Sequence, residues 1–565
     1  MSNIIKELQI SEKLAILLLI VFSVFVFLPV LIFGFPQGNS DIIHHLQISN
    51  AYYESLKNGI IYPDWVATEN NGYGSITVRF YPPLTQYVWA IFRLIFGSWF
   101  LAGFLFFVFW SFIGGLGIYR LAKDILGNQV QALAAAFLFI FAPYHLNQFY
   151  NSFLFSEFVS LSIFPFLFLF TRRVCKDGKM RDVLWFTVSL TLFILSNLPQ
   201  VIIGAVIIGF YILFFLKKEN LLRISGQFLV SGVLALICSS FYWVRMLLEK
   251  EWIKINFDIP DPEYQFYNNY LLSDFTIHEN GLEFASLIFA VLLILTALAI
   301  IVSKSFKSIR TNNETRGFFY LFIFSSVMML KFSYPIWNNL TFLQRAQFPW
   351  RFLSANTICF CLLFAYCLGY AFFSNFKQKR PILMLLVGLM LIYATFSIKQ
   401  VALGAAVVDS KGFETMAAES AQAPTLPQWW TIWTQPDQFK NQTLISAGNR
   451  HAETQLWEAT SRKFTVEKGE ATETRIATQY YPHWKVSVNG EMVETLPAKD
   501  GAISFHLPEK ESLVEMNFVE PQSSLLSRKV SIAGVLLVAI LLLGQVFLSL
   551  FSFKKAGFYG ISKNK

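Results

Sequence analysis

Long apolar runs separated by short polar segments recur from one end of this chain to the other. A helix needs roughly 20 mainly apolar residues to cross a bilayer, so each run is a candidate span. Hydrophobic residues make up 55% of the 565 positions and charged residues only 14%, whereas about 25% is typical of soluble domains. Twelve spans are predicted, near 14–34, 100–119, 128–143, 155–171, 183–198, 201–216, 224–246, 284–303, 317–332, 353–373, 381–398 and 530–553. The chain is therefore predicted to be a polytopic α-helical membrane protein, which excludes secreted enzymes, cytosolic enzymes and nucleic-acid-binding proteins.

Lys and Arg concentrate in alternate connections between these spans, at 120–123, 172–181, 217–223, 304–316 and 377–380. This asymmetry is typical of cytoplasmic loops. Both termini are therefore predicted to be cytoplasmic, in a multi-pass protein of the cytoplasmic (inner) membrane. The segment 84–97 is short and carries Arg93, which favours an interfacial helix over a span.

Three polar segments fall on the outer side of this topology, at 35–83, 247–283 and 399–529. The last is long enough for a domain, its residues 476–496 alternate between apolar and polar, and Asn489-Gly490 favours a tight hairpin. The predicted organisation is a transmembrane domain over 1–398 with a long first outer loop at 35–83, an extracytoplasmic β-sandwich-like domain over 399–529, and a final span with a basic tail over 530–565.

Polar residues that could carry chemistry collect just after the first span. Asp41 precedes His44 and His45 by about one helical turn, and a carboxylate held at the membrane boundary is costly without a use. Asp64 and Glu69 are interpreted as solvated loop charges. The two histidines could bind a metal with Asp41, but adjacent side chains on a helix point apart, so metal dependence stays open.

Several motifs on the outer side together resemble a known family. They are NNGYG at 70–74, FYPPL at 80–84, APYHLNQFYNSFLFSEF at 142–158, SNLPQ at 196–200, LQRAQFPWRFL at 343–353 and YYPHWKVSVNG at 480–490. In this order they resemble the GT-C glycosyltransferases and, more closely, the bacterial membrane family related to 6-pyruvoyl-tetrahydropterin synthase, with a C-terminal outer β-domain. Ser152 departs from the pattern, since family members often have Arg in that loop.

The resemblance implies a GT-C-like fold and a transfer reaction at the outer membrane face. A sugar would pass from a polyprenyl-phosphate carrier to a glycan, lipid or polymer acceptor, with inversion. Expected partners are the lipid-linked donor, the acceptor and membrane lipids, but no nucleic acid. A divalent metal is compatible with such a site but not required by the sequence.

The resemblance also suggests roles for single residues. Asp41 matches the catalytic position and is the expected base, and Glu157 is a second catalytic candidate unless it is a buried group satisfied by Tyr150 or the backbone. A leaving phosphate calls for cations. The expected donor-phosphate contacts are Arg351, Arg345, Lys331 and Arg79, and the further candidates are His44, His45, His145 and Tyr81.

Two other functions stay open beside this one. A non-catalytic assembly protein could keep the same fold, and Arg351 could simply reach lipid headgroups. A flippase for lipid-linked sugars is less favoured, because the predicted spans lack deep ionisable groups and internal repeats. The enzyme interpretation further predicts that the 35–83 loop packs against the third, fourth and tenth spans, with Asp41 lining a polar cavity under the 399–529 domain.

Overall fold

The computed structural model describes residues 10–36, 41–254, 264–273, 281–373, 407–441 and 443–560, with single positions at 384, 387, 388 and 391. Within these ranges the helices are α1 Glu12–Phe33, α2 Asp41–Lys57, α3 Thr77–Phe80, α4 Leu84–Phe96, α5 Trp99–Leu126, α6 Gln129–Ile140, α7 Pro143–Tyr150, α8 Phe155–Lys176, α9 Met180–Ile194, α10 Leu198–Leu213, α11 Leu221–Cys238, α12 Ser240–Glu249, α13 Gly281–Ser303, α14 Phe306–Thr311, α15 Asn313–Met328, α16 Tyr334–Asn339, α17 Thr341–Gln344, α18 Leu353–Phe373, α19 Ser410–Ser420 and α20 Gln522–Gly560.

Eight helical segments of the described chain are long and apolar enough to cross a membrane. They are α1, α5, the α6–α7 pair, α8, α11, α13, α18 with its preceding turn, and the first part of α20. The predicted runs at 183–198, 201–216 and 317–332 correspond to α9, α10 and α15, which have only 15, 16 and 16 residues. The run at 381–398 lies outside the described residues except for isolated positions. The polytopic helical class is thus confirmed, whereas the number of twelve spans is not.

Two of the spans lie in the interior of the helical part. Of the most apolar stretch of α8, 83% is buried inside the protein, and the corresponding share of the Pro349–Ala371 span is 94%. In α11 the buried share is only 22%. Polar groups on these inner helices can be satisfied by neighbouring helices instead of facing lipid. Glu157 and Arg351 lie at the starts of these two spans.

A C-terminal region of strands was predicted and is present. Two short strands, β1 Phe35–Pro36 and β2 Val407–Val408, form a separate two-stranded ladder. The C-terminal strands are β3 Ile445–Ser446, β4 Ala452–Trp457, β5 Ser461–Val466, β6 Thr472–Gln479, β7 Trp484–Val488, β8 Glu491–Val493, β9 Leu496–Pro497, β10 Ala502–Leu507 and β11 Ser512–Phe518. They form one sheet of order β3-β6-β10-β9 and another of order β4-β5-β11-β7-β8, both antiparallel. Side chains of both sheets share one apolar core that includes Phe464, Ile476, Val486, Phe505 and Val514.

The predicted hairpin joins β7 to β8. Val488 pairs with Glu491 across a two-residue turn, and Asn489 and Gly490 have φ values of 53° and 85°. Two successive positive φ angles are what a type I′ turn requires, and Asn-Gly adopts them at little cost. The local sequence therefore determines this turn.

The first loop packs closely against the C-terminal region. Phe35 pairs with Val408 in a two-residue ladder, and Asn70 N donates to the carbonyl of Ala423 at 3.2 Å. The hydroxyl of Tyr73 donates to the carbonyl of Asn441 at 2.6 Å. Residues more than 350 positions apart in the chain are thus held side by side.

A buried charge network strengthens this junction. Arg79 donates to both carboxylate oxygens of Glu249, at 2.6 and 2.5 Å, and to Glu520. From the strand region, the Tyr481 hydroxyl and His483 Nε2 also contact Glu249, at 2.5 and 3.0 Å. Burial raises the pKa of Glu249, but the bonds from His483 and Arg79 outweigh burial and bring it to about 2. The network, which also includes Asp64, Arg245 and Arg528, ties the first loop to α12, β7 and the start of α20.

Candidate active site

Glu157 lies in the first turn of α8 and is held by groups from three other segments. Its Oε1 accepts hydrogen bonds from the hydroxyl of Tyr144 and from Gln200 Nε2, the latter at 2.9 Å. Its Oε2 accepts from Arg351 Nε at 3.2 Å. Gln200 in turn accepts from Ser354 Oγ at 2.9 Å. Because both oxygens of this buried carboxylate accept hydrogen bonds, Glu157 holds Tyr144, Gln200 and Arg351 in fixed positions.

Arg351 lies in a short 3-10 turn, Pro349–Phe352, that leads into α18. The proline stands at the first position of that turn, where its missing N–H costs nothing. Besides contacting Glu157, Arg351 uses Nη1 to donate to the Ala346 carbonyl at 2.7 Å and to Gln347 Oε1 at 3.2 Å. Its guanidinium carbon lies 4.7 Å from the centre of the Phe348 ring. No described group accepts a hydrogen bond from Nη2. The Arg351 guanidinium is therefore held in place by Nε and Nη1, while the N–H groups of Nη2 are available to a ligand.

Asp41 is the first described residue of α2 and is half-buried. Its carboxylate forms no hydrogen bond or ion pair with any residue that the structure describes. Burial raises the pKa of Asp41 to about 6, while the positive charge of Arg351 acts in the opposite direction. Asp41 and Arg351 are therefore in electrostatic range of each other without forming an ion pair. A partly desolvated carboxylate with free lone pairs is suited to accept a proton near neutral pH.

Tyr81 lies within electrostatic range of Asp41 and Arg351. Its hydroxyl is 3.2 Å from Ser156 Oγ at the start of α8. Burial raises the pKa of Tyr81 to about 12, and the charges of Asp41 and Arg351 act on it in opposite directions. Its ring also meets that of Trp429, with the centroids 5.6 Å apart. The first loop, α8, the turn before α18 and the C-terminal region thus converge here.

The two histidines after Asp41 turn to different surroundings. His45 is buried, its Nδ1 lies 2.9 Å from Gln86 Nε2, and its ring stacks on Phe155 at 5.0 Å. Burial lowers the pKa of His45 to about 3 and also lowers that of half-buried His44. Both are thus neutral at pH 7. In the described chain no three His, Cys, Asp or Glu side chains are grouped so that they could hold a metal ion.

Of the other predicted site residues, some lie outside this cluster. His145 is buried and stacks on Phe158 with centroids 4.3 Å apart. Lys331 and Arg345 are exposed on the segment before the Arg351 turn. Arg79 is not brought to the site, because all three of its nitrogens are occupied in the charge network.

Two loop charges were interpreted wrongly from the sequence. Asp64 is only 24% exposed and pairs with Arg245 at 3.2 Å and with Arg528. Glu69 is 1% exposed and accepts a hydrogen bond from Thr77 Oγ1 at 3.3 Å. Burial raises the pKa of Glu69 to about 7. Neither carboxylate is a solvated loop charge, because the C-terminal region and α12 cover this part of the first loop.

Sequence reasoning missed the groups that orient the site. Tyr144 and Gln200 bind Glu157, whereas Tyr150, the partner considered for Glu157, donates to the Val26 carbonyl at 2.6 Å. Gln86, which positions His45, was not singled out either. Tyr144 and Gln200 lie inside the motifs at 142–158 and 196–200. These motifs indicate which segments belong to the site but not which of their residues contact Glu157.

Three tryptophans before the strands do not form one cluster. Trp429 contacts Tyr81, Trp430 is buried against Phe439 at 5.3 Å, and Trp433 packs on Tyr480 at 4.8 Å. Of these three, Trp429 is thus the one whose ring contacts Tyr81 of the candidate site.

Comparisons with known proteins add the following findings. Residues 78–403 match the model of a family described as a 6-pyruvoyl-tetrahydropterin synthase related domain, a membrane protein. Among solved structures, the arabinofuranosyltransferase AftD from Mycobacteria is similar over 70% of this chain, with 13% identity and a TM-score of 0.46. The chain covers 27% of AftD. ArnT from Cupriavidus metallidurans, solved bound to undecaprenyl phosphate, is similar over 73% of this chain and 77% of its own, with 13% identity and a TM-score of 0.41. No curated protein matches the sequence.

Proposed function

Since this chain belongs to the 6-pyruvoyl-tetrahydropterin synthase related family of membrane proteins, we propose that it is a membrane glycosyltransferase of GT-C type. It moves a sugar from a polyprenyl-phosphate carrier to an acceptor hydroxyl at the outer membrane face. The observation that carries this proposal is the pair formed by an unpartnered, half-buried Asp41 and an Arg351 with free donors. One of the motifs that resemble GT-C enzymes, at 343–353, contains Arg351, and the first of them begins 29 residues after Asp41.

In the proposed reaction Asp41 is the general base. Its carboxylate takes the proton of the acceptor hydroxyl as the acceptor oxygen attacks the anomeric carbon of the donor sugar. The bond from that carbon to the phosphate oxygen breaks on the opposite face, so the configuration inverts. The pKa of about 6 leaves Asp41 mostly ionised at pH 7, while burial keeps it basic enough to accept the proton.

Arg351 stabilises the leaving phosphate. Charge builds on the phosphate oxygens as the glycosidic bond breaks, and a fixed guanidinium with free N–H groups stabilises that charge without reorganising. Arg345 and Lys331 are exposed nearby in sequence and are proposed as outer contacts for the carrier. Arg79 is left out of this role because its nitrogens are occupied.

Glu157 is proposed as a positioning residue. Its oxygens accept hydrogen bonds from Tyr144, Gln200 and Arg351, so three of the roughly four lone-pair sites of the carboxylate are taken. By pairing with Nε it sets the direction in which Nη2 of Arg351 points. Loss of this carboxylate is expected to affect donor binding before it affects proton transfer.

The C-terminal region is proposed to lie outside the membrane and to shape access of the acceptor. Support comes from Trp429, whose ring contacts Tyr81, a residue within electrostatic range of Asp41, and from the charge network that fixes the region to the first loop. The acceptor in this proposal is a glycan or a lipid that approaches from the outer side. Both termini are proposed to be cytoplasmic, on the basis of the basic loops.

The proposal is tested with purified protein in proteoliposomes that contain polyprenyl-phosphate-linked sugars. Transfer of labelled sugar to a cell-envelope glycan or lipid fraction is followed for the wild type and for Asp41→Asn. We expect transfer by the wild type with at least one donor, and its loss in the variant. Absence of transfer with every lipid-linked donor would favour the non-catalytic assembly role instead.

A further inference from the structure

An apolar groove of about 540 Å³ runs along the helical part, where α5 and α9 both pack on α8. Its walls are mainly apolar and aromatic side chains of α5, α8 and α9, among them Trp110, Ile163 and Val188, with Ser189, Arg120 and Arg173 as polar members. The hydroxyl of Ser189 donates to the carbonyl of Trp185 at 2.8 Å, so it offers no free donor to the groove. Apart from the two arginines, the walls therefore suit a hydrocarbon chain.

The groove has the length of one membrane leaflet. It extends over eleven residues of α5, from Trp110 to Arg120, and over eleven residues of α8, from Ile163 to Arg173, so that ten helical steps separate the ends of each stretch. At 1.5 Å per residue each stretch is about 15 Å long, which is half of the roughly 30 Å hydrocarbon core. A chain that lies in the groove would reach from the bilayer centre to one surface.

The surface end of the groove is positively charged. Arg120 pairs with Glu12 at 2.6 Å and Arg173 with Asp124 at 2.7 Å. Each pairing leaves N–H groups of the guanidinium without an acceptor in the described chain. Three more basic residues lie within one turn of these two arginines, namely Lys123, Arg172 and Lys176. The carboxylates that contact this group are those of Glu12, Asp124 and Glu314. Five positive charges thus face three negative ones.

An aromatic side chain marks the same end. Trp185 is 42% exposed and its ring stacks on Phe170 with centroids 6.1 Å apart. Tryptophan is enriched where the hydrocarbon core meets the headgroups. Glu157 lies at the opposite end of α8, so the charged end of the groove and the candidate active site are on opposite membrane surfaces.

We propose that this groove binds an anionic phospholipid of the leaflet opposite the candidate active site. One acyl chain lies between α5 and α9, and the phosphate contacts Arg120 and Arg173. Under the positive-inside rule this is the cytoplasmic leaflet. The polyprenyl-phosphate donor is not the occupant, because its phosphate is proposed to bind Arg351 at the other surface.

The test measures lipid binding to the purified full-length protein by native mass spectrometry and by thermal shift. The probes are dioleoyl phosphatidylglycerol, dioleoyl phosphatidylcholine, undecaprenyl phosphate and soluble glycerol phosphate. We expect selective retention of phosphatidylglycerol. Arg120→Gln and Arg173→Gln should each weaken it about five-fold, which corresponds to about 1 kcal/mol for one basic residue at a membrane surface.

Two further variants separate binding from folding. Val188→Trp fills the groove and leaves both arginines and their ion pairs in place, so it should abolish selective retention. Arg310→Gln removes an exposed basic residue of a neighbouring connection, outside the groove, and should leave retention unchanged.

Four outcomes would overturn the proposal. Equal retention of phosphatidylcholine, or equal effects of Arg120→Gln and Arg310→Gln, would mean that the arginines do not select a headgroup. Glycerol phosphate that competes as well as the lipid would mean that the groove is not used. Undecaprenyl phosphate that displaces phosphatidylglycerol would identify the carrier as the occupant.

Discussion

Replacement of Asp41 by Asn is the perturbation that tests the proposed chemistry most directly. The amide keeps the shape of the side chain but cannot accept the proton of the acceptor hydroxyl. A positioned general base contributes about 10²- to 10⁴-fold to the rate, so kcat should fall by at least that much. Donor binding should survive, because Asp41 contacts none of the groups that hold Arg351 in the described chain.

The pH dependence supplies a second magnitude. With a pKa of about 6, Asp41 is ionised in about one tenth of molecules at pH 5 and about nine tenths at pH 7. The wild-type kcat/KM should therefore rise about ten-fold between these values and level off above pH 7. Transfer is measured in proteoliposomes with saturating acceptor, and donor binding is measured separately by the protection that the donor gives against thermal unfolding.

The control for this experiment is the stability of the variant. Asp41 is ionised in a partly buried place without a partner, so its removal leaves no buried group unpaired, and Asp41→Asn should unfold at no lower temperature than the wild type at pH 8. Wild-type turnover in a stable Asp41→Asn protein would refute the assignment of the base. The assignment would also be refuted if the residual kcat/KM of the variant still rose with pH around an apparent pKa of 6.

Other substitutions should separate the remaining roles. Glu157→Gln should raise the KM for the donor more than it lowers kcat and should keep the limb near pH 6, whereas loss of that limb would make Glu157 the base. Arg351→Lys should weaken donor binding at least about ten-fold, because an ammonium cannot reproduce the planar donor fork, and unchanged donor protection against unfolding would contradict this. Glu249→Gln should cost about 3–5 kcal/mol of stability, the usual effect of breaking a buried pair, as measured by thermal unfolding. The pKa of Glu249 is lowered to about 2, so its contribution is complete above its ordinary value of about 4.5 and lost as the pH falls toward 2; a wild type and Glu249→Gln with the same acid sensitivity would contradict this.

Features that the bilayer or the local chain dictates could be predicted from the sequence. The spans follow from the length of apolar runs, since lipid offers no partner for exposed backbone. The β7–β8 hairpin follows from Asn489 and Gly490, which adopt positive φ at little cost. Asp41, Glu157 and Arg351 are candidates because motifs or charge at a span end mark their segments, although no pattern in the sequence shows that the last two form a pair.

Partners far apart in the chain could not be predicted. Asp64 bonds to Arg245 and Arg528, which lie 181 and 464 positions away. A carboxylate in a long polar loop has the same local sequence whether it is solvated or covered by another region. The covering comes here from α12 and the C-terminal region, and only their tertiary placement distinguishes a solvated Asp64 from a buried one.

The charge network decides how the role of the C-terminal region can be studied. Arg79 is two residues before Tyr81, and its partners include Glu520, while Tyr481 and His483 hold Glu249. Deletion of the region would remove these partners and leave Arg79 and Glu249 with uncompensated polar atoms, at a cost of several kcal/mol. Lost activity in such a deletion would therefore not distinguish altered acceptor access from a collapsed first loop. A substitution that leaves the network intact can do so: Trp429→Ala removes only the ring that contacts Tyr81, so an effect confined to the KM for the acceptor would assign acceptor access to the C-terminal region.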